Sequence, residues 1–170
     1  LDPSHSRASV TLANALMRAG HYQNALGQLQ KARVLDSENA HLLQRMASIH
    51  AYRNECDEAT KNIYQAIKLQ PKGFGFLLTL AKIAVQCPVE QQVLNDALNA
   101  TRNMYQISQD TYVVETLAMI EAKNGNFKEA IDYQAQAIFQ LLSINEGSKK
   151  INELKSNLEL YKKNDYPRVI

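Results

Sequence analysis

The amino-acid sequence predicts an all-α solenoid of three and a half to four helical hairpins, closed by a capping helix. Three observations carry this. Alanines recur in fixed phase, each period holds two stretches of helical periodicity, and the last stretch is amphipathic rather than part of a hairpin. Ala13, Ala47 and Ala81 are spaced by 34 residues, and Ala118 follows after 37. A second ladder, Ala32, Ala66, Ala100 and Ala137, takes the same steps. A third joins Ala25, Ala59 and Ala130, with Val93 in the remaining slot. Leu12, Met46, Leu80 and Leu117 keep phase beside the first ladder.

The first helix is expected over residues 6–19, where Val10, Leu12, Ala13, Leu16 and Met17 fall at helical spacing. Gly20 ends it, because glycine enters the left-handed conformation that closes a helix without a steric penalty. Periodicity resumes over 22–35 through Tyr22, Ala25, Leu26, Leu29, Ala32 and Leu35. Small side chains at fixed points let the two helices approach closely and pack without a void. The next period repeats the plan, with Asn54 in the glycine position and Pro71 after the second helix.

The third period departs from it. Residues 74–86 and 89–104 read as its helices, but Cys87-Pro88 replaces the glycine turn, and Pro88 suits a first helical turn. Ala100 keeps the step of 34 and Ala118 falls three late, so the extra residues are expected in a loop from Gln106 to Asp110. The fourth period turns at Gly125. Residues 148–163 then place Ile151, Leu154, Leu158 and Tyr161 on one face, as expected of a helix that covers the last hairpin. The expected divisions are 1–5, the end of a preceding repeat, then repeats at 6–39, 40–73, 74–110 (degenerate) and 111–144, then a capping helix and tail at 145–170.

These residues resemble the tetratricopeptide repeat. The family pattern has a small residue within the first helix, Gly-x-aromatic-x-x-Ala opening the second, and another alanine seven residues on. Here it reads Ala13, Gly20-His-Tyr22-Gln-Asn-Ala25, Ala32, and again Ala118, Gly125-Asn-Phe127-Lys-Glu-Ala130, Ala137. The resemblance covers about residues 6–142. It implies a right-handed superhelix, and Pro3, two periods before Pro71, fits the carboxyl portion of a longer array. It also implies that first helices line a concave groove for an extended peptide or a partner helix. Family members that clamp acidic chaperone tails use lysine, asparagine and arginine at set positions. Here those places hold Val10, Asn14, Arg45, Gly75 and Thr79, and only Asn14 agrees, so that clamp is not expected.

Composition narrows the function. The 170 residues carry a formal charge of +2, with 19 basic and 17 acidic side chains. Residues 147–170 hold six Lys or Arg against three Asp or Glu, so the helical body has no basic stripe of the kind nucleic acid needs. No apolar run approaches the roughly 20 residues of a membrane span, so no membrane insertion is expected. The chain reads as a soluble module, cytoplasmic or bacterial periplasmic. There is no GxSxG, GxxxxGK[ST] or GxGxxG pattern, and His5, His21, His41 and His50 form no metal motif. Cys56, in the repeat's aromatic slot, is expected to be a buried thiol, and Cys87 an exposed turn residue. Glu115 and Glu121 are expected on a solvated surface.

The expectation is therefore a non-catalytic scaffold with no cofactor, no metal and no nucleic acid, binding a protein or peptide. The alternative is a regulatory or targeting arm of an enzyme whose catalytic domain lies elsewhere. Self-association through the ends of the array is a further expected mode. The expected contact stripe runs along the first helices: Arg7, Asn14 and Arg18; His41, Gln44, Ser48 and Tyr52; Leu78, Lys82 and Gln86; Tyr112, Glu115, Met119 and Lys123. Tyr52 and Tyr112 offer buried area, Asn14, Gln44 and Gln86 offer hydrogen bonds, and Arg18 and Lys82 favour some negative charge.

Overall fold

The computed structural model describes residues 3–144 and 147–167, with side chains from residue 8 onward apart from that of residue 148. Arg7 and His5 thus lie outside the described side chains, and part of the 1–5 segment lies outside the described residues. Among the described residues all regular structure is helical: α1 (Pro3–Arg18), α2 (Tyr22–Leu35), α3 (Ala40–Tyr52), α4 (Cys56–Leu69), α5 (Phe74–Gln86), α6 (Gln91–Ile107), α7 (Thr111–Lys123), α8 (Phe127–Ser143) and α9 (Ser148–Tyr161). None of these helices is long and apolar enough to cross a membrane. The chain divides into two compact units, Leu1–Ile83 and Ala84–Ile170, with the boundary inside α5.

In the first unit, α1 pairs with α2 and α3 with α4, and α2 also packs on α3. Ala13, Ala25 and Ala32 are fully buried where α1 crosses α2, in one cluster with Leu26, Leu29, Leu42, Met46 and Ile49. In the second unit, α7 pairs with α8, α6 packs on α7 and α9 on α8. Ile151 and Leu154 of α9 join Ala137, Ile138 and Leu141 of α8, and Tyr161 closes over Ala118, Ala122 and Ala130. α9 is therefore the covering helix. Asn152 and Ser156, which follow Ala118 and Ala122 by one period of 34, are exposed. That face offers no apolar seat for a second helix.

One turn recurs. Gly20, Asn54 and Gly125 all have positive φ, at 78°, 59° and 84°. In each case the following N–H reaches back to the carbonyl five residues earlier: His21 to Leu16, Glu55 to His50 and Asn126 to Glu121, at 2.8–2.9 Å. Glycine and asparagine are the residues that take this conformation cheaply. The same turn ends α9, with Asn164 at 56° and the Asp165 N–H on Leu160. Capping sets the other ends. Asn39 accepts from the N–H groups of His41 and Leu42, and Asp110 from those of Tyr112 and Val113.

Several expectations are corrected. α1 begins at Pro3 rather than residue 6. α6 begins at Gln91 behind an extended Glu90, so Pro88 precedes the helix instead of opening it. α6 then runs to Ile107 and has 17 residues where α2 and α4 have 14, so the three extra residues lengthen a helix rather than a loop. Its buried line is Leu94, Ala97, Leu98, Thr101 and Met104, which leaves Val93 and Ala100 half-buried. The buried line of α6 is thus shifted by one residue from the ladder positions Val93 and Ala100 to Leu94 and Thr101. The cysteines reverse their expected places: Cys87 is fully buried and Cys56 half-buried. Neither is a free thiol, since both are disulfide-bonded.

Candidate functional site

The expected stripe is built first by caps. The Asn39 and Asp110 side chains fix the opening turns of α3 and α7, which places His41 and Tyr112 at equivalent positions. In the first unit His41 is exposed and its ring lies 5.1 Å from that of buried Phe76. Three turns later Tyr52 is 62% exposed, its ring 4.3 Å from that of Tyr22 and tilted by 35°. The hydrogen bond to Tyr52, together with burial, holds the Tyr22 phenol above its ordinary pKa. Beside this pair is a shallow, open surface hollow of about 290 Å³ lined by Gly20, His21, Tyr22, Gln23, Asn24 and Arg53.

Between these aromatic groups the polar residues link neighbouring first helices. Arg45 of α3 donates to the Asn14 side chain of α1. Gln44 spends its amide N–H groups on the Gly75 carbonyl and the Thr79 hydroxyl of α5, both at 2.9 Å. Its carbonyl oxygen is the atom left to accept from a ligand. Ser48, exposed, donates to the backbone carbonyl of Gln44 within its own helix, and leaves the Gln44 side-chain oxygen untouched. Arg18 and Lys82 are exposed and Leu78 is half-buried.

In the second unit Tyr112 is 46% exposed, and Gln86 and Met119 are half-buried. Lys123 does not extend into solvent. Its ammonium donates to the carbonyls of Val85 and Cys87, at 2.8 and 2.5 Å, at the end of α5. Burial among these groups lowers its pKa. A cation here balances the partial negative charge of unsatisfied helix-end carbonyls.

The carboxylates depart furthest from expectation. Glu115 is paired with Lys150 of α9 at 2.6 Å. Burial opposes the Lys150 charge, but Glu115 and Glu153 outweigh it, and its pKa is raised. Glu121 is 1% exposed; it accepts two bonds from Arg102 of α6, at 2.8 and 3.0 Å, and a third from Asn126. A buried carboxylate persists only with such a complete set of partners. The same two turn positions are joined in the first unit, where His50 Nδ1 and a Glu55 oxygen are 2.7 Å apart. Sequence reasoning missed these partners because each pair joins residues without a motif. The period alone could have found Glu121, since it follows His50 in phase.

No family model matches the chain, and no curated protein matches it. Solved structures do. A tetratricopeptide repeat protein from Parabacteroides merdae superposes with a TM-score of 0.75 at 16% identity, over 94% of this chain and 59% of that one. MamA from Desulfovibrio magneticus gives 0.66 at 13% identity, over 94% and 96%. YrrB, described as a TPR protein with an unusual peptide-binding site, gives 0.63 at 20%, over 92% and 77%. The fold is of the tetratricopeptide-repeat type. At these identities the likeness is one of fold. In TPR terms α1–α2, α3–α4 and α7–α8 are paired hairpins, and α9 packs on the last of them.

Proposed function

We propose that this chain is a non-catalytic interaction module that holds a peptide segment or a partner helix against its first helices. The observation that carries the reading is Tyr52, largely exposed yet ordered by Tyr22. A rigid aromatic of this kind supplies contact area at small entropic cost, which is how interface anchors work. His41 on Phe76 offers a second such platform, and Gln44 an acceptor between them. The cross-helix bonds of Asn14 and Gln44 make these residues supports as well as contacts, since they fix neighbouring first helices before a partner arrives.

Arg18, exposed on α1 of the first unit, favours a segment with some negative charge. The reading needs no cofactor or metal. The test is to recover partners by pull-down and compare Tyr52→Ala and Lys82→Ala with Lys61→Ala on the outer face of α4. Binding is expected to fall at least tenfold for Tyr52→Ala, about 1.4 kcal/mol, and to be unchanged for Lys61→Ala. Loss in the control alone would place the interface on the second helices.

A further inference from the structure

We propose that the hollow beside Tyr22 and Tyr52 seats a proline-rich segment in the polyproline II conformation, an assignment that rests on Tyr52 being a docking residue. The ring pair is the first reason. Tyr52 is 62% exposed and its ring lies 4.3 Å from that of Tyr22, so two aromatic rings stand together at the surface. The repeat does not require this, since in the other hairpins the Tyr52 position holds Arg18, Gln86 and Lys123. A proline side chain is a compact apolar ring with no rotamer freedom to lose, and it packs well on such aromatic faces.

The polar side of the hollow is the second reason. Arg53 donates to the side-chain oxygen of exposed Gln23, so what Gln23 has left to offer is its amide N–H groups. Arg53 also donates through Nε to Glu55 at 2.8 Å. Hydrogen bonds with His50 and Arg53 hold the Glu55 carboxyl below its usual pKa, so it stays ionised and balances the guanidinium. The hollow thus sets an amide donor beside two rings and carries little net charge. That combination selects among polypeptides. A partner helix uses its carbonyls internally and leaves the Gln23 donor without an acceptor. An ordinary extended strand brings an N–H at every residue, whereas Gln23 has its acceptor already taken. A run of prolines brings carbonyls alone, and it is already extended before it binds. Pre-extension matters on a shallow surface, where little buried area offsets the entropy of ordering a flexible chain. The negative charge that Arg18 favours then belongs to residues flanking the prolines.

NMR titration of the isotope-labelled chain with a blocked oligoproline peptide tests the assignment. A glycine–serine peptide and an oligoglutamate peptide of the same length serve as comparisons. Oligoproline is expected to give saturable amide shifts at Gly20, Tyr22, Gln23 and Arg53, and neither comparison peptide should do so. Tyr52→Ala should weaken its binding about tenfold. Gln23→Glu keeps an oxygen to accept from Arg53 and exchanges the donor for a second oxygen, so it should weaken binding as much, with the fold checked by circular dichroism. Lys61→Ala should bind as wild type. Saturable shifts absent or confined to other residues, equal shifts with the glycine–serine peptide, tighter binding of oligoglutamate, or wild-type affinity in Gln23→Glu would each overturn the assignment. The docking role of Tyr52 is judged separately, by whether partners recovered by pull-down lose affinity for Tyr52→Ala.

Discussion

Replacing Arg102 by Met should destabilise the protein far more than its half-exposed position suggests. The Arg102 side chain is 47% exposed, but the Glu121 side chain it meets is 1% exposed. Methionine keeps the packing of the stem and removes both charge-assisted bonds, which leaves a buried carboxylate with only Asn126. Breaking a buried ion pair from one side costs about 3–5 kcal/mol. Because water reaches the vacated side, about 2–3 kcal/mol is the expected loss, measured by urea denaturation. Glu121→Gln keeps the shape, strands no charge in the core and should cost about 1–2 kcal/mol. The combination Arg102→Met with Glu121→Leu removes both polar partners and should lie within about 1 kcal/mol of wild type. The cycle built from Arg102→Met, Glu121→Leu and their combination should then show a coupling of about 2 kcal/mol. Additive losses would mean that Glu121 is solvated after all.

Asn54 sits at φ 59°, so Asn54→Ala should cost about 1 kcal/mol and Asn54→Gly should match or exceed wild type in thermal melts. Ala59 is fully buried, and Ala59→Arg should lower stability by about 3 kcal/mol or more, whereas exposed Lys61→Ala should change the melt hardly at all. The Tyr161 hydroxyl is buried with no partner among the described residues, and burial raises its pKa. The unfolded phenol ionises near pH 10 and the folded one only above that. Stability is thus full below that pH and falls as pH rises through the alkaline range, and Tyr161→Phe should flatten the fall and gain about 1 kcal/mol at neutral pH. Truncation after Gly147 should bare Ile138 and Leu141 and cause aggregation, seen by light scattering.

Local and periodic features were legible in the sequence. The alanine ladders marked the buried contacts of the α1–α2, α3–α4 and α7–α8 hairpins, because a close crossing favours small residues, but not those of α6, where Val93 and Ala100 are half-buried. The turns at Gly20, Asn54 and Gly125 were legible because positive φ restricts residue choice. Features that depend on two distant residues were not. Arg102 and Glu121 are joined by a fold that brings α6 onto α7, and no local pattern distinguishes a glutamate awaiting an arginine from one in water. Lys123 likewise looked like a groove cation, because its carbonyl partners carry no sequence signal. The bulk of Val93 was legible, but not that the buried line of α6 would run through Leu94 and Thr101 instead of Val93 and Ala100.

A partner held on the first helices, with Tyr52 at the centre of the contact, is expected to leave a footprint on the backbone. Hydrogen–deuterium exchange of the chain with and without a recovered partner tests it most directly, because backbone amides report where contact occurs without altering any side chain. Added protection is expected in α3 and in the turn that follows it, with α4 unchanged. Protection confined to α4, α6 or α9 would place the partner away from Tyr52 and the first helices.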